Sequence, residues 1–356
     1  MSSPDKLSCR TRRSIALIFI ALIFVASSSS FGQTITFDSA FALFEQHRWQ
    51  EAYSAFVDVE KVQPGKTEAL LFQGKCLVNL SKFEDAGNVL NDYVLQHPAS
   101  SDARYLLAFV RFRQNRPKES LELMNAASRF KPPSADDLKV GALDYVLLGD
   151  YTDAGHYLEE AVRIAPDNIE ARYHLGRVRY QQNRFDDAIA AFREVLRLDP
   201  RNTKAADNLG LSLEGTNRMD DAKAAYEHAI ALDHESSAHT EQPYLNLGTL
   251  LVRTGHPTDA IPILLQAAAI APKSNAVQYQ ISKAHFDLRQ WPDAQRAAEE
   301  AIRLDPNDAT AHYLLARIYQ RSNHPDEAAR EFKLTEDLRQ SQDATGHAMS
   351  SGSPRQ

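Results

Sequence analysis

Apolar residues recur along this chain at helical spacing in short blocks, each closed by a polar residue or a glycine. Residues 169–182 carry Tyr173, Leu175, Gly176 and Tyr180 in such a block; Asn183 follows; residues 185–198 then carry Ala188, Ile189, Phe192, Val195, Leu196 and Leu198. That period predicts two amphipathic helices joined by a tight turn. The break recurs at Asn115, Gly149, Asn183, Asn217, Gly255 and Asn323, residue types that tolerate the left-handed backbone on which helices end. Asp186, Asp187, Asp220 and Asp221 stand where the second helix begins, at the positive end of its dipole.

The hairpin repeats. Prolines at 64, 98, 132, 166 and 200 step by 34 residues; the series skips His234 and resumes at Pro272 and Pro306, displaced by four. Proline lacks an N–H and biases its predecessor away from α, so each one stops a second helix. The period divides the chain into nine units, 33–66, 67–100, 101–134, 135–168, 169–202, 203–236, 241–274, 275–308 and 309–342, with 237–240 inserted. The twentieth position reads Ala52, Ala86, Ser120, Ala154, Ala188, Ala222, Ala260, Ala294 and Ala328, and the eighth is equally small: Ala40, Gly74, Ala108, Ala142, Gly176, Gly210, Gly248, Ser282 and Ala316. Small residues at two fixed phases predict that the eighth and twentieth positions face each other where the paired helices approach. Bulk at Gly176 would overpack that contact by about 1–3 kcal/mol.

These positions closely resemble the tetratricopeptide repeat (TPR) family, whose 34-residue hairpin carries L-G, then A-x₃-F, then P. Leu175-Gly176, Ala188 with Phe192, and Pro200 match it, as do Leu247-Gly248, Ala260 with Leu264, and Pro272. The resemblance spans residues 33–342. It implies an all-α fold, a right-handed superhelical solenoid of helical hairpins, with irregular units at its two ends because those face solvent. His234 in place of proline and Ser120 in place of alanine are local departures.

The N-terminus explains why the repeats begin at 33. Lys6, Arg10, Arg12 and Arg13 precede a thirteen-residue apolar run at 14–26, and Ser30 and Gly32 then stand three residues and one residue before Gln33. This is the layout of a secretory signal peptide over residues 1–32. The alternative is an uncleaved membrane anchor over 14–32, but the apolar run is short for a span. The mature chain is expected to be exported, periplasmic or extracellular. Residues 343–356, rich in Ser, Gly and Gln, lack the apolar content to pack and are expected to be a disordered polar tail.

Charge narrows the partners. Removing residues 1–32 takes the formal net charge from −7 to −10. An acidic chain without a basic stripe is a poor nucleic-acid binder, and contact with a membrane is confined to the N-terminal segment if it is retained. Cys76 is the single cysteine outside that segment; at the tenth position of its unit it reads as a small core residue. The twelve histidines scatter without metal-ligand spacing. His234-Glu235 and His239 are not an H-E-x-x-H pair. Neither a phosphate-binding glycine loop nor a set of nucleophile, base and orienting acid stands out. The sequence thus predicts neither catalytic residues, a metal site nor a cofactor.

The working surface follows from the resemblance, which places positions 2, 5, 6, 9, 12 and 13 of each unit on a concave groove. Mapped here, those positions hold Tyr105, Phe109, Phe112 and Arg113 in the third unit and Tyr173, Arg177 and Tyr180 in the fifth. They hold Asn208 and Asn246 in the sixth and seventh, and Tyr279, Lys283, Phe286, Tyr313, Arg317 and Arg321 in the last two. Tyr and Arg are the residues most often found at binding hot spots, and paired Asn amides can hold a peptide backbone. The Lys and Asn clamp used by relatives that capture chaperone tails is not met, because Lys139 has Leu143 beside it. The expected function is that of an exported, non-catalytic scaffold binding a protein or extended peptide in its groove, in envelope assembly or secretion. A binder of carbohydrate or cell-wall polymer, or an accessory subunit of an envelope enzyme, is the alternative.

Overall fold

The computed structural model describes residues 36–351, with side chains through 342. The signal or anchor segment therefore lies outside the described residues. The described chain forms eighteen helices in nine antiparallel pairs. They are α1 (Phe37–Glu45) and α2 (Trp49–Val62), α3 (Glu68–Asn79) and α4 (Phe83–Gln96), and α5 (Ser101–Arg113) and α6 (Pro117–Ser128). Then come α7 (Ala135–Leu147) and α8 (Tyr151–Ile164), α9 (Ile169–Gln181) and α10 (Phe185–Leu198), and α11 (Thr203–Gly215) and α12 (Met219–His234). The last three pairs are α13 (Gln242–Arg253) with α14 (Pro257–Ile270), α15 (Asn275–Asp287) with α16 (Trp291–Leu304), and α17 (Ala309–Arg321) with α18 (Pro325–Ser351). Together they make an all-α solenoid.

Each turn between paired helices passes through one left-handed residue at the fifteenth position. Asn115, Gly149, Asn183, Asn217, Gly255 and Asn323 have positive φ as the sequence predicts, and so do His47, Ser81 and Arg289. Six of the nine first helices begin on a side-chain cap, and for α7, α9, α11, α15 and α17 the cap is the last residue of the preceding unit. Ser134 and Thr36 form reciprocal capping boxes. Asn168 and Asn202 each accept from a backbone N–H three residues on at 3.0 Å, satisfying donors that a helix start leaves open.

Packing inside the four hairpins with glycine at the eighth position differs from the expected pairing of the eighth and twentieth positions. The side chain over the eighth position comes from the twenty-fourth. A Cβ on Gly176 would stand 2.8 Å from the Phe192 ring, and Gly210, Gly74 and Gly248 are covered in the same way by Tyr226, Leu90 and Leu264. The large residue arches across the space that the small one vacates. The twentieth position is close as well, for Ser282 donates from Oγ to the Ala294 carbonyl at 2.7 Å, but it contributes backbone rather than a side chain.

First helices of successive units, from α3 to α17, also pack on one another, whereas no two second helices do so to that extent among the described residues. The array therefore bends with its first helices on the inside. The insertion at 237–240 is absorbed by a clasp. The buried Asp233 carboxylate accepts from the Thr240 N–H at 3.0 Å and from the Tyr244 hydroxyl at 3.1 Å, with the His239 ring 3.2 Å away.

The tail departs from expectation. α18 continues to Ser351, nine residues into the segment expected to be disordered. Once its start is packed on α17, each further residue adds a backbone bond at little cost, and no proline interrupts it before Pro354. Glu336 on this helix is exposed where inner units carry half-buried Val162, Leu196 and Ile302, which gives the end of the array a polar face.

Candidate functional site

The inner bend is built from α3, α5, α7, α9, α11, α13, α15 and α17, and the predicted groove residues fall on it with unequal freedom. Tyr105 is only 6% exposed. Its hydroxyl donates to the Lys131 carbonyl at 2.8 Å, and burial pushes its pKa up to about 12. It is a packing residue, contrary to its expected role as a groove contact. Phe109 is half-buried, edge-on to Phe83 at 6.3 Å. Tyr173 leans on Phe192 at 5.8 Å, Tyr180 stands edge-on to Phe185 at 5.5 Å, and both are half-buried, as is Tyr279. Tyr313 is exposed and meets Phe332 at 5.8 Å. The rings thus pack first, Phe109 across a joint and Tyr105, Tyr173, Tyr180 and Tyr313 inside their own hairpins, and present edges second.

The two asparagines are also engaged. Asn208 donates to the Tyr173 hydroxyl at 3.3 Å and to the Lys204 carbonyl at 2.8 Å. Asn246 donates to the Asp207 carboxylate at 2.8 Å and accepts from the Gln242 amide at 2.9 Å. A backbone ladder of free amides, the expected arrangement, is therefore not what the unliganded groove offers. Asp207 itself is buried, and desolvation pushes its pKa up to about 6 against the lowering effect of the Asn246 bond.

The cations behave differently. On second helices nearly every arginine is neutralised by an acid three residues away, as in Arg184–Asp187 at 2.6 Å, Arg197–Glu194 at 2.8 Å, Arg218–Asp221 at 2.6 Å and Arg303–Glu300 at 2.5 Å. On first helices the ninth position holds Lys75, Arg177, Lys283 and Arg317, and the thirteenth holds Arg113, Arg321 and Arg253, of which Arg253 pairs with Glu214. None of the other six forms an ion pair among the described residues. Three rest on aromatic faces: Lys75 lies 4.6 Å from the Phe72 ring centroid, Arg113 4.2 Å from that of Phe83, and Arg317 4.6 Å from that of Phe286. Arg177 and Arg321 are exposed.

Beside Arg177 a cavity of about 80 Å³ opens between α7, α8 and α9, walled by Leu143, Val146, Tyr151, His174, Val178 and Gln181. The His174 ring is held neutral: burial, followed by the nearby Arg177 and Lys139 charges, lowers its pKa to about 4. The cavity is absent from the sequence signal because His174 and Val146 are unremarkable one at a time.

Two buried features also escaped the sequence. Arg179 on α9 is bound to Gln182 at 2.7 Å and to Glu159, tying the fifth unit to the fourth. Asp144 on α7 is fully buried beside Ser120, and neither its oxygens nor the Ser120 hydroxyl has a hydrogen-bond partner of good geometry. Burial pushes the Asp144 carboxyl up to about 7, with Ser120 opposing the shift. Cys76 is buried, and desolvation pushes its thiol up to about 12, which suits a core residue rather than a reactive one.

One tetratricopeptide repeat sequence model matches residues 43–108 and 145–209, and a second matches 208–276 and 279–342. Among solved structures the chain resembles a tetratricopeptide repeat protein from Parabacteroides merdae ATCC 43184 at 13% identity and TM-score 0.52, over 69% of this chain and 96% of that one. It also resembles PilW, a type IV pilus biogenesis factor, at 21% identity and TM-score 0.51, over 55% of this chain and 90% of that one. The Cut9–Hcn1 hetero-tetramer of APC/C gives 14% identity and TM-score 0.51, over 85% and 80%. At these identities the likeness is one of fold. No curated protein sequence matches the chain.

Proposed function

Because the chain belongs to the tetratricopeptide repeat family, whose models cover most of its length, we propose that it is a non-catalytic scaffold whose inner face holds an acidic, extended segment of a partner polypeptide. One observation carries this reading. On an acidic chain that pairs its outer arginines locally, six cations on the inner helices are left without a carboxylate. Guanidinium groups without partners gain charge-assisted, forked hydrogen bonds from an incoming carboxylate. The aromatic edges of Tyr173, Tyr279 and Tyr313 add contact area, and Asn208 and Asn246 join only by exchanging their present bonds for new ones.

The reading includes export. It rests on the charged, apolar and small-residue order of residues 1–32 and on the start of the repeats at 33. A mature N-terminus at or near Gln33, found by intact mass of exported protein, supports it; a full-length membrane-retained chain overturns it in favour of the anchor. A role in envelope assembly or secretion follows from that location.

The groove is tested with a partner recovered from the envelope fraction. Replacing Arg177 and Arg317 together by alanine should weaken binding by more than about 1 kcal/mol with the helical signal intact. Parent-like binding by that variant, together with loss on changing the outer face, overturns the reading.

A further inference from the structure

The eight joints between units let one joint be compared with another. At the joint of the eighth and ninth units, the ninth-position Arg317 lies over the ring of the twelfth-position Phe286, 4.6 Å from its centroid. The Phe286 ring in turn stands edge-on to the seventeenth-position Trp291, at 5.5 Å and 67°. The joint of the fourth and fifth units has the same frame. Arg177 occupies the ninth position and the aromatic Tyr151 the seventeenth. The twelfth position, however, is Val146, and there a cavity of about 80 Å³ opens, with Val146, Tyr151 and Arg177 in its lining. The space that one joint fills with its own phenylalanine, the other leaves open under a cation.

We propose that this cavity takes one aromatic side chain from the partner polypeptide, inserted where Phe286 sits at the later joint, with Arg177 closing over the ring and reaching a carboxylate beside it. The walls suit a ring. Leu143, Val146 and Val178 are apolar, and the neutral His174 carries no charge to desolvate. Tyr151 offers the edge-to-face partner that Trp291 supplies at the other joint, an arrangement aromatic pairs favour. The guanidinium gains on both sides, from the ring face below it and from an acid at its rim. Arg177 is exposed and without an ion pair among the described residues, so no existing bond is broken. This pocket rests on the groove reading above and narrows it from acidic segments in general to an aromatic residue flanked by acids.

The test uses the purified full chain and two synthetic peptides of equal charge, Asp-Glu-Ala-Phe-Glu-Asp and Asp-Glu-Ala-Ala-Glu-Asp, titrated by calorimetry. The parent should bind the phenylalanine peptide about tenfold more tightly, the scale of one buried aromatic anchor. Val146→Phe rebuilds the later joint inside the earlier one and fills the cavity from within. It should erase the tenfold preference while leaving the alanine peptide's affinity within about twofold, and its far-UV spectrum and melting midpoint should match the parent's. Should Val146→Phe fail to fold, Arg177→Gln gives the same reading, with the preference reduced at least fivefold. Equal affinities for the two peptides, or a preference that survives both variants, overturn the pocket while leaving the groove intact. No binding of either peptide overturns the groove reading and the pocket with it.

Discussion

One guanidinium nitrogen of Arg179 lies 3.0 Å from the point where a Cβ on Gly155 would stand. The relation repeats two units earlier, where Arg111 is 2.9 Å from the corresponding point on Gly87. In both joints the arginine is braced by a glutamine three residues on, whose amide donates to a backbone carbonyl of the preceding unit: Gln182 to Tyr151 at 2.6 Å and Gln114 to Phe83 at 3.0 Å. The glycine makes room for the polar tie. Gly155→Val should therefore loosen the joint of the fourth and fifth units by about 1–3 kcal/mol, read as faster hydrogen exchange in α8 and α9. Gly65→Val, where nothing lies within 4 Å, should leave exchange in α2 and α3 unchanged by comparison.

The period, the unit boundaries and the paired helices were legible in the sequence because proline, glycine and alanine each have a backbone or size requirement that recurs in phase. Interactions between units were less so. Small residues at the eighth position announce a close approach, but not that Phe192 or Tyr226 crosses it. The expectation for Asn246 missed its bond to Asp207, which lies 39 residues away on another helix. Tyr105 looked like a groove ring because position alone does not reveal where a hydroxyl ends.

The left-handed turn residues offer a direct stability gain. Ser81 and Arg289 have φ of 57° and 58°, a conformation that costs a side-chain-bearing residue roughly 1–2 kcal/mol. Ser81→Gly should recover about 1 kcal/mol of that, while Gly149→Ala, at φ 78°, should lose a similar amount. Local exchange in α3 and α4 against α7 and α8 measures both. A Ser81→Gly chain no more stable than the parent would mean that the turn is held without strain.

Asp144 makes stability depend on pH. Its folded pKa is raised to about 7 from 3.8, so the folded state prefers the protonated acid. Stability is full below the unfolded pKa, falls as pH rises from near 4 to about 7, and is flat above. The loss is on the order of 2–4 kcal/mol. Asp144→Val copies the tenth-position Val110 and Val178 of neighbouring units. It should flatten the profile in that window and raise stability at pH 8, with little change at pH 4. Urea melts of parent and variant at the two pH values separate this from a uniform packing gain, which would shift both equally.

Arg177 and Arg317 occupy equivalent positions and should differ in what they do for the fold. Arg317 covers Phe286 at 4.6 Å and lies 5.9 Å from the Tyr313 ring, a stack worth about 0.5–2 kcal/mol as it loses water. Arg177 is exposed and pairs with no carboxylate among the described residues, and beneath it is a cavity rather than a ring. Arg317→Ala should therefore speed exchange in α15 and α17, whereas Arg177→Ala should leave α7 and α9 at parent rates. The contrast needs no partner to measure. Equal loosening of both joints would make Arg177 a structural brace, and its freedom, on which a role in recognition depends, would be gone. If only the Arg317 joint responds, the fold spends one of these cations on itself and leaves the other available.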